Sequence, residues 1–169
     1  GRAAPRPRPP FAPLVRFVGV PVVLVYSEGA GRACLVRCGA SDGPTPWTPV
    51  ALELAARDPA PSVAYLARPC QYIARGSDPH CGVYYWTDGR YAEPVVSSMN
   101  AAIDQIRTAS GARSFGLVGF SGGGAVVAWV AARMMDVPSP RTVAPHPHTA
   151  ARPAELGLCP PPCSLIASC

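Results

Sequence analysis

The chain contains no lysine, and all 15 of its basic residues are arginine. Charged residues make up only 15% of the sequence, and the formal net charge is +5. Apart from Arg2, Arg6 and Arg8 near the start, the arginines are scattered along the chain. Scattered arginines do not build the basic face that nucleic-acid binding requires, so nucleic acid is not expected as a partner.

Long apolar runs are also missing. The longest, Phe17–Tyr26, is about half the ~20 residues that a helix needs to cross a bilayer, so no membrane span is expected. No Lys-Ser/Thr pair follows a glycine-rich segment, and no Gly-x-Gly-x-x-Gly stands at a strand-to-helix turn. These absences exclude the common nucleotide-binding loops, and we expect no cofactor.

Proline marks both ends of the chain. Residues 1–13 are rich in proline and arginine, which predicts an extended and disordered leader. Residues 138–169 contain many further prolines, which interrupt strands and helices, so an irregular tail is expected. The segment between them, residues 14–137, has the apolar content of one domain with a buried core.

The seven cysteines are many for a cytosolic enzyme of this size. Cys70 and Cys81 flank a short loop, which predicts a disulfide and an oxidising compartment, secreted or periplasmic. Two free, buried thiols are the alternative. Two further pairs have spacings that zinc permits, but no histidine stands at ligand spacing to either, and no metal is expected; these pairs are Cys34 with Cys38 and Cys159 with Cys163.

Strand and helix patterns alternate along the central segment. Strand composition occurs at Ser62–Leu66, at Ser114–Val118 and at Leu14–Tyr26, the last as one strand or as two short strands broken near Gly19–Pro21. Helical spacing occurs at Pro49–Arg57, Ala92–Ala109 and Ala125–Met135. Gly111 is predicted to end the second helix in a left-handed conformation. This order predicts an α/β domain with a mostly parallel sheet and flanking helices.

One motif in this pattern carries chemistry. Gly119–Gly123 reads Gly-Phe-Ser-Gly-Gly and joins the last strand to the last helix, the setting of a nucleophile elbow. The elbow would hold the hydroxyl of Ser121 beside the free N–H groups at the start of a helix, where an oxyanion is stabilised. A tight turn in an unrelated α/β domain is the alternative.

Three motifs in sequence order resemble a bacterial group of α/β-hydrolases. They are Tyr26–Gly31, Ala67–Tyr72 and Gly119–Gly124, and Cys81 and Tyr85–Thr87 also fit. The resemblance covers residues 20–137 and implies the amino-terminal half of an α/β-hydrolase fold. It further implies that Ser121 is the nucleophile and that the backbone N–H groups of Gly122 and Ala30 form the oxyanion hole. Ala30 stands where this group usually has aspartate.

The acid and the base of a catalytic triad are harder to place. In α/β-hydrolases they follow the nucleophile on later strands, which takes on the order of 100 residues. Only residues 122–169 follow Ser121, so a truncated domain is expected. His148 in the proline-rich tail is the candidate base, although no strand precedes it. His80 precedes the elbow, and Asp136 follows the elbow helix at its far end from Ser121.

Two functions therefore remain open, with a disulfide-rich extracellular binding module as a weaker third. The first is a serine hydrolase acting on small-molecule ester-like substrates. The second is a truncated, inactive protein of the same fold that lacks the acid and the histidine. Truncation would leave the elbow strand at an exposed sheet edge, which predicts self-association.

Overall fold

The computed structural model describes residues 15–19, 21–32, 40–74, 76–138 and 140–143. The predicted leader, the candidate base His148 and the two cysteine pairs with zinc-compatible spacing lie outside these residues. The strands are β1 (Val15–Arg16), β2 (Val22–Ser27), β3 (Val63–Leu66), β4 (Ser114–Phe120) and β5 (Arg141–Val143). The helices are α1 (Val50–Arg57), α2 (Glu93–Ser110) and α3 (Gly122–Ala131), with a 3₁₀ turn at Val83–Trp86.

The five strands form one mixed sheet in the order β1-β3-β2-β4-β5. β1 pairs antiparallel with β3, whereas the pairs β3–β2, β2–β4 and β4–β5 are parallel. From β2 the chain crosses to β3 on one side and then returns to β4 on the other. Such a change of direction opens a crevice at the carboxyl ends of β2 and β4, the usual ligand position in α/β sheets.

The helices pack the apolar faces that their spacing predicts. α2 buries one stripe of side chains, comprising Val95, Val96, Met99, Ala102, Ile103 and Ile106, and it packs against α3 and β3. Gly111 ends α2 with φ 67°, so the predicted left-handed C-cap is confirmed. α1 packs against β2 and β3. The helices thereby pack on the sheet, and the strand ends hold the loops that follow them in fixed positions.

The predicted irregular tail is wrong for Arg141–Val143, which form β5. They pair in parallel with Val118–Phe120 of β4. The edge of β4 offers unpaired N–H and C=O groups, and an extended segment satisfies them whatever its own strand propensity. β5 thus covers the stretch of β4 next to the elbow, and the self-association predicted from an open β4 edge loses its basis there.

Candidate active site

The carboxyl ends of three parallel strands lie side by side. Ser27 at the end of β2 is in register with Leu66 of β3 and with Gly119 of β4. The segments that follow these strands therefore meet at one edge of the sheet. They are the three segments that carry the motifs found in the sequence, so the topology brings together residues that are far apart in the chain.

Ser121 forms a sharp turn between β4 and α3. Its backbone has φ 50° and ψ −122°, a conformation that residues with a side chain rarely adopt. The turn is held by two hydrogen bonds, from the Ser121 N–H to the Val143 carbonyl at 2.9 Å and from the Gly124 N–H to the Ser121 carbonyl at 3.0 Å. β5 therefore supports the elbow directly, and Ser121 itself stays half-buried.

The start of α3 lies against the loop that follows β2. A Cβ placed on Gly29 would lie 3.3 Å from the Ser121 Cβ, and one placed on Gly122 would lie 3.4 Å from the Ala30 Cβ. Gly122 is the first residue of α3, so its N–H has no acceptor within the helix. Gly29 and Ala30 thus lie against the turn at Ser121 and the start of α3.

A buried carboxylate shapes the loop after β2. The Glu28 side chain is almost fully buried, and it accepts hydrogen bonds from the Gly29 N–H at 2.9 Å and the Tyr65 hydroxyl at 3.2 Å. Burial raises the pKa of Tyr65, and Tyr72 and Glu28 beside the hydroxyl act in the same direction. Tyr65 therefore stays protonated and remains a donor to Glu28, which fixes the loop that carries Ala30.

Gln71 links that loop to the segment after β3. It is fully buried, and its Nε2 donates to the Gly29 carbonyl at 2.9 Å and the Pro44 carbonyl at 3.2 Å. Its Oε1 accepts from the Arg68 N–H at 2.9 Å. Sequence reasoning assigned no role to Glu28, Gln71 or Arg68, although all three stand within the motifs that carry the resemblance.

The predicted disulfide between Cys70 and Cys81 is confirmed, with their Cα atoms 5.4 Å apart. Cys70 and Tyr72, the two neighbours of Gln71, both have left-handed backbones, with φ 69° and 58°. Such a conformation persists in residues with side chains only when the surroundings enforce it. The disulfide anchors one of these two residues and so helps to hold Gln71 in place.

Removing the disulfide is expected to destabilise the fold by about 3 kcal/mol, because the unfolded chain gains conformational entropy when a loop of this length is opened. The variant Cys70→Ser/Cys81→Ser avoids a lone thiol, and urea unfolding of the intact chain and the variant measures the difference. Reductant should lower the midpoint of the intact chain to about that of the variant. Equal midpoints for the intact oxidised chain and the variant would contradict this role.

Ser121→Gly is expected to unfold at a higher urea concentration than Ser121→Ala. Glycine adopts positive φ without steric cost, whereas alanine keeps the strain of the serine. Relief of that strain stabilises the glycine variant by about 1–3 kcal/mol. The greater conformational entropy of glycine in the unfolded chain offsets part of this gain. A net gain of about 1 kcal/mol is expected. A glycine variant less stable than the alanine variant would show that Ser121 is not strained.

Neither of the described candidates, His80 and Asp136, is hydrogen-bonded to Ser121. Among the described residues, Ser121 forms hydrogen bonds only through its backbone. His80 is exposed on the disulfide loop, where its backbone N–H donates to Asp78 Oδ1 at 2.8 Å. Asp136 pairs with Arg107 at 2.7 Å and accepts from the Phe115 N–H, which places it at the opposite end of β4. His148 lies outside the described residues.

Other kinds of site find little support in the described part of the chain. No group of three or more His, Cys, Asp or Glu side chains there is arranged to hold a metal ion. None of the described helices combines the length and apolarity that crossing a membrane takes. A surface groove of about 350 Å³ lies along α2 and is lined by Asp104, Gln105, Thr108 and Ala109, none of which belongs to the elbow.

Comparison with known proteins adds no further assignment. No protein-family model, curated protein or solved structure matches this chain. What the chain does must therefore be inferred from the geometry at the carboxyl ends of β2, β3 and β4. Within that geometry, the strained serine between a strand and a helix is the feature with the clearest chemical consequence.

Proposed function

We propose that the chain is a serine hydrolase of the α/β-hydrolase type that cleaves small-molecule esters through Ser121. The observation that carries this proposal is the backbone of Ser121, which has φ 50° at the junction of β4 and α3. Strain of this kind is retained where function requires it. The proposal is supported by the contact of Gly29 with Ser121 and of Ala30 with Gly122, because these two loops would supply the oxyanion donors.

The proposed reaction proceeds through an acyl-enzyme. Ser121 Oγ attacks the ester carbonyl carbon while its proton passes to a general base, and the carbonyl oxygen becomes an oxyanion. The N–H groups of Gly122 and Ala30 donate to that oxyanion. The carbon–oxygen bond to the alcohol then breaks, the alcohol leaves with the proton, and water attacks the acylated serine to release the acid.

In this proposal the general base is a residue outside the described part of the chain, and His148 remains the candidate. The disulfide between Cys70 and Cys81 favours an oxidising compartment, because thiols are kept reduced in the cytosol. We therefore propose a secreted or periplasmic enzyme. The α/β-hydrolase fold itself is part of the proposal, supported by the parallel pairing of β3, β2, β4 and β5.

A second candidate is a protein of this fold that has no catalytic activity. It is favoured by one observation, the lack of a hydrogen bond from the Ser121 hydroxyl to a described histidine or carboxylate. In this view the elbow is retained because it joins β4 to α3 and packs on the loop after β2. Loss of the base would then leave the architecture unchanged.

Covalent labelling separates the two candidates. A fluorophosphonate probe reacts with serines whose hydroxyl is activated by a base, and it should label the folded chain but not the Ser121→Ala variant. Far-ultraviolet circular dichroism of both samples controls for folding. Absence of labelling in a folded sample would favour the inactive protein and contradict the proposed hydrolase.

A further inference from the structure

A buried arginine without a counter-ion lies next to the proposed oxyanion hole. Arg68 is 4% exposed, and it forms no ion pair with a carboxylate of the described residues. One end of its guanidinium is satisfied, because Nη2 donates to the Arg90 carbonyl. The other end is not: Nη1 is buried and has no hydrogen-bond partner.

An unpaired buried cation is costly, and proteins ordinarily pair it or let it lose its charge. Burial lowers the pKa of Arg68 to about 10, with Arg90 acting in the same direction and Tyr91 against it. The guanidinium therefore stays charged at neutral pH. A charge kept in this position, with a donor unused, is typical of a site that receives an anion.

The unused donor points to the start of α3. Arg68 Nη1 lies 3.2 Å from the position that a Cβ on Gly122 would occupy. Gly122 opens a helix of ten residues, whose first N–H groups and dipole attract negative charge. A nine-tenths-buried guanidinium and a helix start thus lie side by side next to Ser121, with the Tyr91 hydroxyl 3.1 Å from the same Cβ position.

A small cleft borders Arg68 on the side of Ala30 and Gln71. A cleft of about 10 Å³, about enough for one water or one oxygen atom, is lined by Arg68 and Ala30 together with Pro44, Pro69, Tyr85 and Trp86. Glycine at position 122 keeps the approach open, since a methyl group there would contact Arg68 Nη1. The cleft therefore has room for one oxygen atom beside the Arg68 side chain.

We propose that Arg68 Nη1 and the Gly122 N–H form an anion-binding site for one oxygen of a carboxylate, a phosphate or a tetrahedral oxyanion. Anion binding at this point does not depend on Ser121. Its use by a substrate rests on the proposed hydrolase function, in which the oxygen belongs either to a carboxylate of the substrate or to the oxyanion formed during attack. Both sources share the chemistry that Arg68 recognises.

Titration of the full chain with sodium acetate and with sodium phosphate, followed by ¹H–¹⁵N NMR at constant ionic strength, tests the site. Saturable shifts are expected, and equally so for Ser121→Ala. Arg68→Met removes the charge at similar length and should weaken binding about 10- to 100-fold, the value of a hydrogen bond to a charged group. Arg57→Met is the matched control and should bind within about twofold, because it removes an exposed guanidinium of α1 that pairs with Glu53.

Gly122→Ala provides a second variant in which Arg68 is kept. Its methyl group fills the approach to Nη1, so anion binding should be lost while the spectrum of the folded domain remains. This variant decides the question if Arg68→Met does not fold. No saturable shift in the intact chain, equal binding in Arg68→Met, or full binding in Gly122→Ala would each overturn the anion site.

Two esters of equal length, one neutral and one with a carboxylate on its acyl part, distinguish the sources of the anion. If the site holds the substrate carboxylate, Arg68→Met slows only the charged ester. If it holds the oxyanion, both esters are slowed alike. Failure of the intact chain to turn over either ester would contradict the hydrolase function but not the site, which the acetate and phosphate titrations decide separately.

Discussion

Replacing Ser121 by alanine is expected to reduce the hydrolysis of an activated ester to the uncatalysed background. Removal of the nucleophile in serine hydrolases costs roughly four to six orders of magnitude in kcat, because the acyl-enzyme no longer forms. Alanine keeps the Cβ and the backbone strain of Ser121, so the elbow should keep its shape. The turnover of a 4-nitrophenyl ester by the intact chain and by the variant measures the effect.

Ser97→Ala is a matched control for that experiment. Ser97 is an exposed serine on α2 whose hydroxyl donates to Glu93 at 2.6 Å, away from the elbow. Its replacement should leave ester hydrolysis unchanged. If Ser121→Ala turned over the ester as fast as the intact chain and Ser97→Ala, Ser121 would not be the nucleophile, whatever its backbone conformation.

Gly123→Ala is expected to destabilise the fold strongly. A Cβ at this position would lie 2.4 Å from the Glu28 carbonyl oxygen and 2.6 Å from that of Ser27. Both atoms belong to the backbone at the end of β2, so no flexible side chain can move aside. Overpacking of this kind costs about 3 kcal/mol or more. The same shift would separate α3 from the loop that carries Ala30.

Gly116→Ala is the control for this substitution. Gly116 lies in β4, and a Cβ there would approach only the Leu24 side chain, whose Cδ2 is 2.5 Å away and can rotate. Urea unfolding should show a much smaller loss of stability for Gly116→Ala than for Gly123→Ala. Similar midpoints for the two variants would contradict the close approach of α3 to the end of β2.

Much of the sheet follows from sequence pattern alone. Valine-rich β2 and the apolar spacing of α2 have a period that fixes their type, and Gly111 marks the end of α2 because glycine tolerates positive φ. The elbow was found because glycines on both sides of a serine, between a strand and a helix, form a local signal. Such features are determined by residues close together in the sequence, so they can be predicted from it.

Other features depend on neighbours in space, and no local signal announces them. β5 is a three-residue strand beside Pro140, and it forms because β4 offers an unpaired edge. The helical pattern was predicted to reach Met135, whereas α3 ends at Ala131. The positions of Gln71 and Arg68 depend on left-handed backbones at Cys70 and Tyr72, residue types for which this conformation is not expected.

The site as a whole is held by contacts among segments distant in sequence. Gln71 joins the segment after β3 to the Gly29 carbonyl, and the disulfide fixes the neighbouring Cys70. Loss of these links would displace Ala30 and Arg68 together, because both lie on the connected segments. Stability and function are therefore coupled at this edge of the sheet, and variants must be tested for folding before activity is compared.

Identification of the residue that carries the fluorophosphonate adduct tests the central claim most directly. The labelled chain is digested and the modified peptide is sequenced by mass spectrometry. The account predicts one adduct, on the Ser121 hydroxyl, and its disappearance in Ser121→Ala. A folded chain that takes up no probe, or an adduct on any other residue that persists in Ser121→Ala, would contradict it.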